Sequence, residues 1–136
     1  MIDLVQVPAT HIDGAWADGA YRLAEACDVS GGEITGDQLK FILSRGERIL
    51  LRMLDDGQTV GWGCVRIDQM PNVRALHICG MWAPGFVFDQ FWPLICEKAR
   101  EAGCSEVRHS SDEVRSRLYR MKCGFEPLYT TCRVKL

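Results

Sequence analysis

The run Asp55-Asp56-Gly57 stands between two stretches of strand-forming residues, 48 to 54 and 59 to 67, and constrains the fold more than any other segment. Asp and Gly tolerate the positive φ that a tight hairpin turn demands, so the flanking stretches are predicted to pair antiparallel. A further stretch, 73 to 79, follows the turn signal Pro71-Asn72 and is rich enough in β-branched residues to extend this pair into a meander.

Helical signals flank the meander. Residues 2 to 7 alternate as a short strand that stops at Pro8. Thr10 is placed to cap a helix whose apolar positions Ile12, Trp16, Ala20, Leu23 and Cys27 keep a 3.6-residue period until Ser30-Gly31-Gly32. Thr35-Gly-Asp-Gln38 has the form of a capping box opening a second helix, with Leu39, Ile42 and Leu43 on one face and Gly46 at its end. After the meander, Asp89 is the expected N-cap of a helix carrying Phe91, Trp92, Ile95, Ala99 and Ala102 and closed by Gly103, with Pro93 near its first turn. Residues 105 to 110 read as a strand. Ser111 or Asp112 opens a last helix with Val114, Leu118 and Met121 inward and Gly124 as its left-handed stop. Residues 127 to 136 read as a closing strand or bent pair. The predicted order, β-α-α-β-β-β-α-β-α-β, describes one α+β domain over residues 1–136: a mixed, mostly antiparallel sheet flanked by helices.

The 136 residues suit a single core, and 47% hydrophobic with 25% charged residues is an ordinary globular balance. A net charge of -2 gives no field that argues for nucleic acid or an anionic membrane. The N-terminus lacks the basic start and apolar run of a secretory signal, and no segment approaches the roughly 18 apolar residues of a membrane span. A soluble, cytoplasmic chain is the expectation. The seven cysteines are odd in number and form no C-x-x-C pair, so they read as reduced thiols rather than a disulfide framework or a metal site.

The stretch Arg117-Leu-Tyr-Arg-Met-Lys-Cys-Gly-Phe-Glu126 carries the most specific signal. A helix ending in a Leu-Tyr pair, a few polar residues and Gly-Phe resembles the GNAT acetyltransferases, as does the element order along nearly the whole chain. The resemblance implies an acyl-CoA N-acyltransferase fold, acetyl-CoA as cofactor and an amine substrate. It makes Tyr119 the acid that protonates the leaving thiolate of coenzyme A; a tyrosine at helical spacing also serves as a half-buried packing residue, and both readings stand. His77, mid-strand where the family often carries its base, is the candidate base, with a satisfied half-core histidine as the alternative. Cys79 lies near His77, but two positions apart on a strand is too long a spacing for a nucleophilic pair.

In the family, a loop of small residues after the fourth strand binds the cofactor's pyrophosphate through bare amides. The matching segment, Gly80-Met-Trp-Ala-Pro-Gly-Phe-Val-Phe-Asp89, assigns Met81, Trp82, Gly85 and Phe86 to the cofactor, with Arg115 as a phosphate contact or part of a solvated basic face. It departs from the family's pattern: Pro84 has no N–H, the basic residue is missing, and Asp89 brings a negative charge. Trp82 and Phe86 either fold into the cleft or form an exposed patch of the kind that supports a protein partner or a homodimer. Two functions are therefore expected to compete. One is acetyl transfer from acetyl-CoA to an amine. The other is a catalytically silent binding protein, similar to the short bacteriophage-encoded variants of this fold that act in virion assembly.

Overall fold

The computed structural model describes residues 1–28 and 31–136. The expected break at Ser30 lies outside the described residues. Five strands form one sheet in the order β1-β2-β3-β4-β5: β1 Ile2–Val7, β2 Ile49–Asp55, β3 Gln58–Gln69, β4 Arg74–Trp82 and β5 Glu106–His109. The first three pairings are antiparallel, and β4 and β5 are parallel. The hairpin sits where the sequence puts it. Asp56 at φ 48° and Gly57 at φ 80° adopt the left-handed backbone that makes the turn match the twist of its strands.

Alternation along β2 feeds two cores. Leu51 and Met53 face the helix Val87–Glu101, where they meet Phe88, Phe91 and Ile95. Leu50 faces the opposite layer, where it meets Trp62, Cys64 and the N-terminal helical residues Ile12, Leu23, Leu39 and Leu43. Phe91, Ile95, Leu50 and Trp62 are fully buried, each removing an apolar side chain from water for roughly 1.5–3 kcal/mol.

The N-terminal helix is not continuous. It runs as a 3-10 turn Ala9–His11, helix α1 Ile12–Ala17, a 3-10 turn Ala20–Leu23 and helix α2 Ala24–Cys27. Gly19 at φ 130° breaks it, in a conformation that only glycine adopts at low cost. Thr10 caps nothing: the residue ahead of α1 is His11, and the Thr10 hydroxyl lies 3.4 Å from the His11 ring. Helix α3, Gly36–Ser44, has the expected capping box, with Gln38 N–H donating to Thr35 Oγ1 at 3.3 Å and Thr35 N–H donating to Gln38 Oε1 at 3.0 Å.

Helix α4, Val87–Glu101, starts at an N-cap of Phe86 rather than Asp89, which lies inside the first turn. Pro93 is therefore deeper in the helix than the sequence suggests. Helix α5, Glu113–Cys123, is capped by Asp112, whose Oδ1 accepts from Arg115 N–H at 2.8 Å, and it ends on Gly124 in the left-handed region.

Two expectations for the C-terminal third fail. Val114, Leu118 and Met121 are exposed, because α5 is turned so that Tyr119 and Cys123 pack against the core instead. The aromatic group of Phe88, Trp92, His109 and Phe125 draws Tyr119 inward and sets that rotation. Residues 127 to 136 form no strand. Strand propensity becomes structure only against a partner edge; Phe125 is anchored against Trp92 and His109, Pro127 has no N–H to donate, and Arg133 donates to the Gly31 carbonyl at 2.9 Å.

The contrast between the two threonines is testable. Thr35→Ala should cost about 1 kcal/mol, read as a lower urea midpoint at unchanged slope, whereas Thr10→Ala should cost less than about 0.5 kcal/mol. Equal losses would contradict the capping assignment.

Candidate functional site

The parallel ladder between β4 and β5 runs from Ala75 opposite Glu106 to Ile78 opposite His109 and stops. β4 continues alone on that side from Cys79 to Trp82. A cavity of about 290 Å³ opens where the strands part. Cys79 to Gly85 line one wall, His109 to Ser111 with α5 line another, and Glu25 and Ala26 of α2 lie across the mouth. Helix α2 sits directly on the strand here: a Cβ added to Gly80 would lie 3.1 Å from the Ala26 Cβ, tighter than ordinary packing.

The β3–β4 ladder is irregular at the same level. Cys64 opposes Gly80 and Val65 opposes Ile78, so Cys79 is an extra residue with no partner across the pair. A bulge of this kind bends the strand and re-aims a side chain. Both wide features of the site, the parted strands and the bulge, therefore fall on Cys79 and Gly80.

Of the residues singled out in the sequence, Tyr119, Met81, Trp82, Gly85 and Arg115 line the cavity together. Tyr119 packs on Phe88 with ring centroids 4.9 Å apart and edge-on to His109 at 4.8 Å. Burial pushes its pKa above the usual tyrosine value, so the phenol holds its proton at neutral pH. Trp82 is turned inward with the Arg22 guanidinium 4.7 Å from its ring. Phe86 is not brought in. It is 76% exposed at the head of α4 and lies outside the cavity lining, so Trp82 and Phe86 do not form one surface patch.

His77 is also outside the lining. Its Nε2 lies 3.3 Å from Ser110 Oγ and its Nδ1 lies 3.9 Å from Asp68 Oδ2. Burial first and the Arg66 guanidinium second pull its pKa down to about 4, against the opposing pull of Asp68. The ring is neutral at pH 7, and a group with so acidic a conjugate acid is a weak general base.

The loop's charge differs from what the sequence suggests. The Asp89 carboxylate accepts a 3.1 Å contact from Lys122 Nζ, so its negative charge reaches the cavity lining paired with a cation. Arg115 and Lys122 both reach the lining from α5. Their spacing with Tyr119 follows the helical period, a signal readable in the sequence that puts basic groups on the same face as the phenol. The bulge at Cys79 had no such signal, because it depends on the partner strand. Among the described residues no cluster of His, Cys, Asp or Glu is arranged to hold a metal ion, and no helix is long and apolar enough to cross a membrane.

No protein-family model matches the sequence, and no curated protein matches it. Solved structures do match in fold. A ribosomal-protein-alanine N-acetyltransferase from Brucella melitensis biovar Abortus 2308 superposes with a TM-score of 0.72 at 13% identity, covering 100% of this chain and 99% of that one. A possible acetyltransferase from Clostridium difficile 630 gives 0.72 at 10% identity, covering 100% and 98%. The aminoglycoside N-acetyltransferase AAC(6')-Iy, solved in complex with CoA, gives 0.66 at 16% identity, covering 100% and 95%. The chain has the fold of the GNAT acetyltransferases.

The depressed pKa of His77 makes stability depend on pH. The unfolded imidazole, with a pKa near 6.5, binds its proton before the folded one, so this contribution is whole above about pH 6.5 and is lost as pH falls toward 4. Between pH 7 and 4.5, wild type should lose about 2 kcal/mol more unfolding free energy than His77→Gln. Equal losses would show that the ring is not held neutral.

Proposed function

We propose that this chain is an acetyltransferase that binds acetyl-CoA in the cleft between β4 and β5 and passes the acetyl group to an amine. The observation that carries this reading is the run of β4 backbone from Cys79 to Trp82, which has no ladder partner on the side that β5 has left. Strand groups left open in this way accept an extended ligand that continues the ladder, and the arm of coenzyme A carries amides suited to it. The fold shared with acetyltransferases, one of them solved with CoA, supports the same ligand.

Each wall then has a task. Arg115 and Lys122 supply cations for the cofactor's phosphates, work that the loop shares poorly because Pro84 offers no N–H. Tyr119 keeps its proton until a thiolate of comparable basicity leaves, and then donates it. Glu25, exposed at the opposite lip, draws a cationic amine toward the cleft. With His77 so weakly basic, water rather than the imidazole takes the proton that the amine loses.

A second reading, a silent binding protein with this fold, draws on Pro84 in the cavity wall and predicts no cofactor affinity. Calorimetric titration separates the two. Acetyl-CoA should bind in the micromolar range, and Arg115→Ala with Lys122→Ala together should weaken binding at least about tenfold, as loss of charge-assisted contacts does. Tyr119→Phe should leave binding unchanged while slowing amine-dependent release of CoA by about 100-fold. No heat at millimolar acetyl-CoA would reject the enzyme, and an unaltered rate in Tyr119→Phe would remove Tyr119 from the mechanism.

A further inference from the structure

One nucleophile in the cleft is left unused by direct transfer to an amine. Cys79 lines the cavity as the extra residue of the β3–β4 bulge, so its thiol is set by the irregularity itself. Arg66 Nη1 donates to Cys79 Sγ at 3.6 Å. That guanidinium is in turn fixed by Asp68, with Nε 2.9 Å from Oδ1 and 3.2 Å from Oδ2. The thiol also meets the carbonyl of His77 at 3.6 Å.

The neighbour across the bulge is a second thiol. Cys64 is fully buried, and its bond to Cys79, followed by burial, pushes its pKa well up, so Cys64 stays protonated and donates. The same bond, with Arg48 and Arg66 nearby, outweighs burial at Cys79 and lowers its pKa to about 7. A thiolate beside guanidinium groups, open to a cavity, is the arrangement found for reactive cysteines, whereas buried structural thiols are inert. Cys27, Cys96 and Cys123 show the opposite, each pushed up by burial.

We propose that Cys79 is an acyl-accepting nucleophile, which takes the acyl group of a thioester in the cleft onto its sulfur before an amine receives it. This rests on the acetyl-CoA reading for the identity of the thioester. In the first half, the Cys79 thiolate attacks the carbonyl carbon, the new carbon–sulfur bond forms, and the bond to the coenzyme A sulfur breaks. The leaving thiolate takes the Tyr119 proton. In the second half, the amine attacks the Cys79 thioester, the carbon–nitrogen bond forms, and the Cys79 thiolate departs. The amine's extra proton goes to water, and Tyr119 regains its proton from solvent. One thioester replaces another in the first half, so that exchange is close to balanced in energy, and no oxidant or reductant is consumed.

Two probes test the proposal by mass spectrometry of the acid-quenched protein. The first is acetyl-CoA without an amine. The second is S-acetyl-N-acetylcysteamine, a small thioester that needs no phosphate contacts. Each should leave one acetyl group on the chain, mapped to Cys79, removed by hydroxylamine, absent from Cys79→Ser and unaffected in Cys132→Ala. An adduct with the small thioester alone would sustain the nucleophile and count against acetyl-CoA as the donor. Calorimetric binding of acetyl-CoA with no Cys79 adduct from either probe would overturn the proposal and leave direct transfer in place. Labelling that persists in Cys79→Ser, or that maps to Cys132, would overturn it as well.

Discussion

The contact on which the site depends is that between Gly80 and Ala26. It lets α2 press onto the backbone of β4 at the level where the β3–β4 register slips and the β4–β5 ladder has already ended. A side chain at Gly80 would push α2 off the strand by a few tenths of an ångström or distort the bulge. With glycine there, α2 lies close on β4 beside the cavity that opens where β5 has parted from the strand. The cores on either face hold this opening rigidly, one built on Phe91 and Ile95 and the other on Leu50 and Trp62.

That rigidity gives the cleft its electrostatic character. Tyr119 is held proton-bearing by burial, His77 is held neutral, and Asp89 is matched by Lys122. Cys79 is the exception, a thiol moved toward its charged form by a donating neighbour and two guanidinium groups. One acid that keeps its proton and one sulfur that gives its proton up, set on different walls of the same cavity, is the separation of roles that acyl transfer through a thioester requires.

Much of the fold was legible because local chemistry decided it. The Asp55-Asp56-Gly57 turn, the Thr35–Gln38 box and the Gly124 stop are each written in a few adjacent residues. What escaped the sequence depended on distant partners. The apolar positions of α5 do not say which stripe faces inward; the ring stack around Tyr119 does. Thr130, Thr131 and Val134 favour a strand, yet no edge pairs with them. The site divides in the same way. Tyr119, Gly85 and Arg115 came from a motif and a loop, whereas Cys79 owes its place to a bulge that neither strand announces alone.

The central claim is that the open edge of β4 is where an acyl-CoA lies. Backbone amide NMR of the labelled protein titrated with CoA tests it directly. Shifts should concentrate at Cys79 to Gly85 of the β4 edge and loop and at Arg115, Tyr119 and Lys122 of α5, with β1 and β2 unmoved. Shifts centred instead on the far hollow around Asp3 and Leu94, or none at saturating CoA, would contradict it.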